Sequence, residues 1–128
     1  MKNPLILFFV FAAISVFSQI PPEKIVQQQL DAYNRQDLKA FVATYHDSIE
    51  VYSFNNQSLM YKGKEQLTKE YAELFKTAPE NYAALRGRIV QGNFVIDKEH
   101  VTGREYDFEA TAIYEVQGGL IRRVWFMW

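Results

Sequence analysis

Few residues in this 128-residue chain have side chains suited to chemistry. It has two histidines and no cysteine, which excludes a thiol nucleophile, a disulfide and a cysteine-based metal site. His100 and Glu109 form the best acid–base pair. They belong to consecutive antiparallel strands, where a carboxylate beside the imidazole would raise its pKa. The alternative is that both sit at the open end of the sheet, satisfied by water or by Lys98. Asp97 and Glu99, two residues apart, also suggest acid–base work or a metal. Each, however, is expected to face an arginine across a hairpin, Arg88 for Asp97 and Arg86 for Glu99. They read as a charge ladder on the side away from the helices. His46-Asp47 falls at a helix end, where a histidine suits the negative end of the dipole. No glycine-rich phosphate loop and no Ser-His-Asp order is present. No metal or cofactor is expected.

The elements that must hold these residues follow from periodicity and punctuation. Val26, Leu30 and Tyr33 recur at helical spacing over Pro22 to Asn34, with Pro22 in the first turn. Asp37 is the expected N-cap of a second helix carrying Leu38, Phe41, Val42 and Tyr45 on one face. Ile49 to Phe54 alternates as a strand, and Ser58 to Tyr61 returns beside it. Gly63 opens a third helix, Lys64 to Ala78, with Leu67, Tyr71, Leu74 and Phe75 as its apolar stripe, and Pro79 closes it. Leu85 to Trp128 reads as a four-strand meander with turns at Gly92-Asn93 and Gly118-Gly119. Helices segregated from a meander indicate an α+β fold.

Turn geometry sets hairpin register. The Gly92-Asn93 turn places Val90 opposite Val95, Ile89 opposite Ile96, Arg88 opposite Asp97 and Arg86 opposite Glu99. The Gly118-Gly119 turn places Val116 opposite Ile121, Glu115 opposite Arg122, Ile113 opposite Val124, Thr111 opposite Phe126 and Glu109 opposite Trp128. Alternation then puts Phe94, Ile96, Lys98 and His100 on one face. In the second hairpin Glu109, Thr111, Ile113, Phe126 and Trp128 share a face. The other face, with Tyr114, Trp125 and Met127, is apolar enough to suggest a homodimer surface.

The N-terminus carries its own signal. Lys2, an uncharged apolar run from Leu5 to Phe17, and small Ser18 have the layout of a secretory signal peptide. Residues 1–18 are therefore expected to be removed on export to the periplasm or medium, leaving one domain over 19–128 and no membrane attachment. Without Lys2 the balance is 13 basic against 15 acidic residues, a formal charge of −2. Such a chain has no basic field for nucleic acid.

The segments AYNRQDLKAFVATYHDSIEVYSF, MYKGKEQLTKEYAELF, RIVQGNFVIDKEHVTG and AIYEVQGGLIRRVWF resemble the nuclear-transport-factor-2-like superfamily, on its SnoaL-like and ketosteroid-isomerase-like side. The resemblance implies three N-terminal helices closing a cone over a strongly curved mixed sheet, around an apolar pocket. It also implies the pocket wall: Val51, Ser53, Phe94, Ile96, Lys98, Thr111, Ile113, Phe126 and Trp128 from the sheet, with Tyr71 and Phe75 from the third helix. The ketosteroid-isomerase mechanism needs a carboxylate base, a tyrosine and a protonated aspartic acid. Ser53, Gln29 and Thr111 stand at those positions, so that mechanism is not expected. The remaining expectations are a small hydrophobic ligand held in the pocket or, alternatively, proton transfer by His100 and Glu109 on a carbonyl-type substrate. Whether the chain is an enzyme stays open, because this fold hosts many activities.

Overall fold

The computed structural model describes residues 20–128, together with residues 2, 10 and 12. The expected leader therefore lies almost wholly outside the described residues. Helix α1 (Pro22–Asn34) buries Val26, Gln29, Leu30, Ala32 and Tyr33 along one stripe. Asp37 caps α2 (Leu38–Val42) as expected, its carboxylate accepting from the Ala40 N–H at 3.1 Å. The helix is shorter than the periodicity implies. Thr44 turns its hydroxyl back to the Phe41 carbonyl, and Tyr45 begins strand β1 (Tyr45–Ser53). The Tyr45 ring still packs on Phe41, 5.0 Å between centroids, so its apolar contact survives the change of element. His46 and Asp47 thus lie on the strand and not at a helix end.

Strand β2 (Ser58–Lys62) returns along β1 and leads through Gly63 into α3 (Lys64–Thr77). The meander follows as β3 (Tyr82–Gln91), β4 (Phe94–Thr102), β5 (Phe108–Gln117) and β6 (Leu120–Met127). The six strands form one curved, unclosed sheet in the order β2-β1-β6-β5-β4-β3. Only β1 and β6 run parallel; the other pairs are antiparallel. All three helices cover the same face of this sheet. The core between them includes Val26, Leu30, Phe41, Ile49, Leu67, Val95, Tyr114 and Val124.

Both expected turns are present, and each hairpin starts in the expected register. Each then slips by one residue at a bulge. In β3 the extra residue is Arg86, so Leu85, not Arg86, lies opposite Glu99. In β6 it is Arg122, so Glu115 meets Arg123, Ile113 meets Trp125, Ala112 meets Phe126 and Thr111 meets Met127. A one-residue slip sends every later side chain to the other face relative to its partner strand. The β4–β5 ladder then decides which face is inside. Val95 pairs with Tyr114, Asp97 with Ala112 and Glu99 with Ala110, and these six point towards the helices.

The last fixed point is the β4–β5 turn. Gly103 has φ +78°, and a Cβ there would come within 1.8 Å of the Glu80 carbonyl oxygen. Only glycine fits such a position. The close approach anchors the Gly103–Asp107 turn over the end of β3.

Candidate functional site

Between α1, α3 and the inner face of the sheet lies a cavity of about 690 Å³. That is within the usual range for small-molecule sites, roughly 300–1,000 Å³. The space has a local cause. Ala110, near the start of β5 and opposite Glu99, forms part of the wall where a larger side chain would intrude. Helix α1 contributes Gln29 and Tyr33, α3 contributes Tyr71, and β5 contributes Phe108 and Tyr114. Met60, Tyr106 and Trp128, all exposed, surround the opening.

Two carboxylates on β4 face this interior. Asp97 is fully buried and held by Arg88 through two parallel bonds, Nε to Oδ1 at 2.7 Å and Nη2 to Oδ2 at 2.9 Å. The remaining Arg88 Nη1 donates to the Gln27 Oε1 at 2.9 Å. Asp97 and Arg88 are therefore paired as the sequence indicates, but inside the molecule and not on a solvent-facing ladder. Glu99 has no such partner. It is 7% exposed, lines the cavity, and its Oε1 makes no hydrogen bond. Burial pushes its carboxyl up to about 7, the charge on Asp97 adds to the rise, and Arg88 opposes it.

Phenols surround this carboxyl. Burial drives the Tyr45 and Tyr114 hydroxyls well above their ordinary value, with the Glu99 charge contributing to both, so they remain protonated donors. Gln29, 4% exposed, also faces the cavity with an unpartnered Oε1. At the mouth Arg104 donates from Nε to the Asn81 Oδ1 and from Nη2 to the Tyr33 hydroxyl, both at 2.8 Å. Its guanidinium lies 5.4 Å from the Phe108 ring centroid. A carboxyl that titrates near neutrality, in an apolar chamber with phenol donors, can give a proton to an enclosed molecule or take one from it.

The structure brings four of the eleven expected wall residues to the cavity. Val51, Tyr71, Phe126 and Trp128 line the cavity. Ser53 is buried on the inner face and Phe75 packs against Tyr33, Phe41 and Tyr71, but neither is in the wall. Phe94, Ile96, Lys98, Thr111 and Ile113 belong to the opposite face, a correction that follows because the helices cover the Val95, Asp97 and Glu99 face of β4 and the regular β4–β5 ladder carries that choice to β5. His100 shares that outer face, so His100 and Glu109 are not a catalytic pair in the cavity. They are cross-strand neighbours, but Glu109 reaches the cavity rim with Lys98 at 3.2 Å as its ion-pair partner. Tyr114, expected at a dimer surface, is 2% exposed and points inward, whereas Trp125 and Met127 do face out.

Sequence reasoning missed Glu99, Tyr33, Tyr114 and Arg104 as cavity residues. One signal was available. Gly87, a glycine inside a strand, is a common mark of a bulge, and here the bulge lies beside it at Arg86. Among the described residues no group of three or more His, Asp or Glu side chains could hold a metal ion.

Helices closed over a curved mixed sheet around a cavity define a nuclear-transport-factor-2-like roll. The sequence matches the SnoaL-like domain family over residues 26–124, and the chain belongs to that family. Similar solved structures agree on the fold. An uncharacterized cystatin-fold protein from Novosphingobium aromaticivorans is 24% identical, with a TM-score of 0.80, 86% of this chain and 100% of that one covered. A SnoaL-like protein of unknown function from Burkholderia thailandensis is 18% identical, with a TM-score of 0.70, covering 83% and 92%. A Sinorhizobium meliloti protein described provisionally as a polyketide cyclase is 20% identical, with a TM-score of 0.71, covering 81% and 94%. No curated protein matches the sequence.

Proposed function

We propose that this SnoaL-like domain binds a small, largely apolar molecule in the cavity, with Glu99 as the ionisable group that meets it. The observation behind this reading is the buried, unpartnered Glu99 Oε1 on a wall built mostly of aromatic and aliphatic side chains. A buried carboxyl without a partner is costly, and it is tolerated where a bound molecule completes its hydrogen bonding. Glu99 thereby replaces His100 and Glu109 as the proton-exchanging residue. Aromatic side chains supply most of the contact area, as in typical small-molecule sites.

The test uses phenethyl alcohol as a neutral apolar probe, titrated against the protein by NMR. Saturable shifts confined to cavity residues such as Phe108 and Tyr114 are expected. Ala110→Leu, which puts a larger side chain into the wall opposite Glu99, should abolish them while the circular dichroism spectrum stays native. Absence of saturable shifts in the native protein would sink the proposal.

We also propose that a second copy of the chain covers the outer face of the sheet. Tyr52 stacks on Trp125 there, ring centroids 5.6 Å apart and planes 15° from parallel, and Phe94 continues the row at 6.5 Å. Ile89, on the same face, is 62% exposed.

A further inference from the structure

The reading of the cavity as a small-molecule site can be carried to a ligand class. We propose that the cavity takes a protonated primary or secondary amine, its ammonium against Glu99 and Gln29 and its apolar body against the aromatic wall. This rests on that reading and goes beyond it in naming the charge and the donor.

Glu99 Oε1 and Gln29 Oε1 are both buried, both on the cavity wall and both without a donor. Two unsatisfied acceptors facing one chamber call for a ligand that brings N–H or O–H groups, because an unfilled acceptor carries its full desolvation cost. Charge selects among such ligands. Among the described residues no cation hydrogen-bonds or ion-pairs with Glu99. Arg88 spends Nε and Nη2 on Asp97 and Nη1 on Gln27. Arg104 is tied to Asn81 and Tyr33 at the mouth. The other charged side chains around the cavity are Glu70, Glu105 and Glu109, all exposed, with Glu70 accepting from Gln66 and Glu109 paired with Lys98. An ammonium would neutralise the buried carboxylate and donate to it, a charge-assisted bond about twice as strong as a neutral one. The faces of Tyr33, Tyr71, Phe108 and Phe126 suit a cation with an apolar body.

The groups facing Glu99 fix how binding reports itself. Asp97 on its own strand, Arg88 on β3, Tyr45 on β1 and Tyr114 on β5 are the charged and titratable neighbours. The phenols stay protonated throughout the working range, so the proton that moves on amine binding near neutral pH comes from Glu99.

The experiment compares phenethylamine with phenethyl alcohol, equal in shape and different in charge, by titration calorimetry at pH 7.5. The native protein should bind the amine about tenfold or more tightly than the alcohol, as expected for a charge-assisted bond in a buried site. Glu99→Gln should lose that preference, binding the two probes about equally. At pH 6.5, titrations in two buffers of different ionisation enthalpy should show proton release with the amine and none with the alcohol. If both probes bind equally to the native protein, or if Glu99→Gln keeps the preference, the amine assignment is overturned and the cavity reading stands. If neither probe binds, both fail.

Discussion

Asp97 and Glu99 stand two residues apart on the same face of β4, both buried, yet their environments differ in kind. Asp97 faces Arg88 in the regular part of the hairpin and is gripped by two bonds. Glu99 lies beyond the Arg86 bulge, opposite Leu85, with Ala110 on its other side and the cavity in front of it. One extra residue in β3 thus separates a structural ion pair from a carboxyl available to a ligand. The lesson is that burial alone does not make a carboxylate functional. A fork of donors converts it into structure, and the removal of that fork leaves a group that holds its proton tightly enough to exchange it near neutrality.

Three substitutions press on this contrast. Arg88→Met should have the largest effect, because it turns Asp97 into a second unpartnered buried carboxylate. The expected loss is about 3–5 kcal/mol in urea denaturation at pH 7, the usual consequence of stranding one member of a buried pair. A loss under about 1 kcal/mol would mean that Asp97 is held by something other than Arg88.

Glu99→Gln comes next, and its sign is opposite. The folded carboxyl titrates at about 7 against an ordinary 4.5, so the fold holds the proton more tightly than the unfolded chain does. Native stability is therefore free of this penalty below pH ~4.5, falls as pH rises towards ~7, and is level above it. The glutamine variant lacks that slope. It should be more stable than the native protein by roughly 3 kcal/mol at pH 8 and nearly equal to it at pH 4. Parallel stability profiles for the two proteins would show that Glu99 does not carry the burden assigned to it.

The smallest effect on folding should come from a carboxylate placed on the other side of the sheet. Trp125→Glu removes a stacked ring from a half-buried outer position, and folding stability should change by only about 1 kcal/mol. Its consequence should appear in assembly. Light scattering is expected to give a dimer mass for the native chain and a monomer mass for the variant, and an unchanged mass would remove the outer face as the contact.

Much of the architecture is written locally. Helices α1 and α3 follow from apolar residues at helical spacing, the α2 cap from Asp37, and both meander turns from Gly-Asn and Gly-Gly pairs. The Arg88–Asp97 pairing is also local, because it is the fourth pair from a two-residue turn, before any irregularity accumulates. The wall residues Val51, Tyr71, Phe126 and Trp128 are legible through the family resemblance.

What only the tertiary structure decided is which face of the meander is inside. Phe94, Ile96 and Ile113 make the outer face look like a core, whereas the inner face of β4 carries Asp97 and Glu99 between Val95 and Val101. Alternation assigns residues to two faces and is blind to which one the helices cover. Bulges at Arg86 and Arg122 change that assignment without altering composition. The choice is made by packing over long sequence separations. Arg88 neutralises Asp97 and reaches Gln27 on α1, and Tyr114 and Val124 meet the helices, so that two acids become tolerable inside. Glu99 was visible in the sequence as an acid; its solitude beside a cavity is a property of the fold.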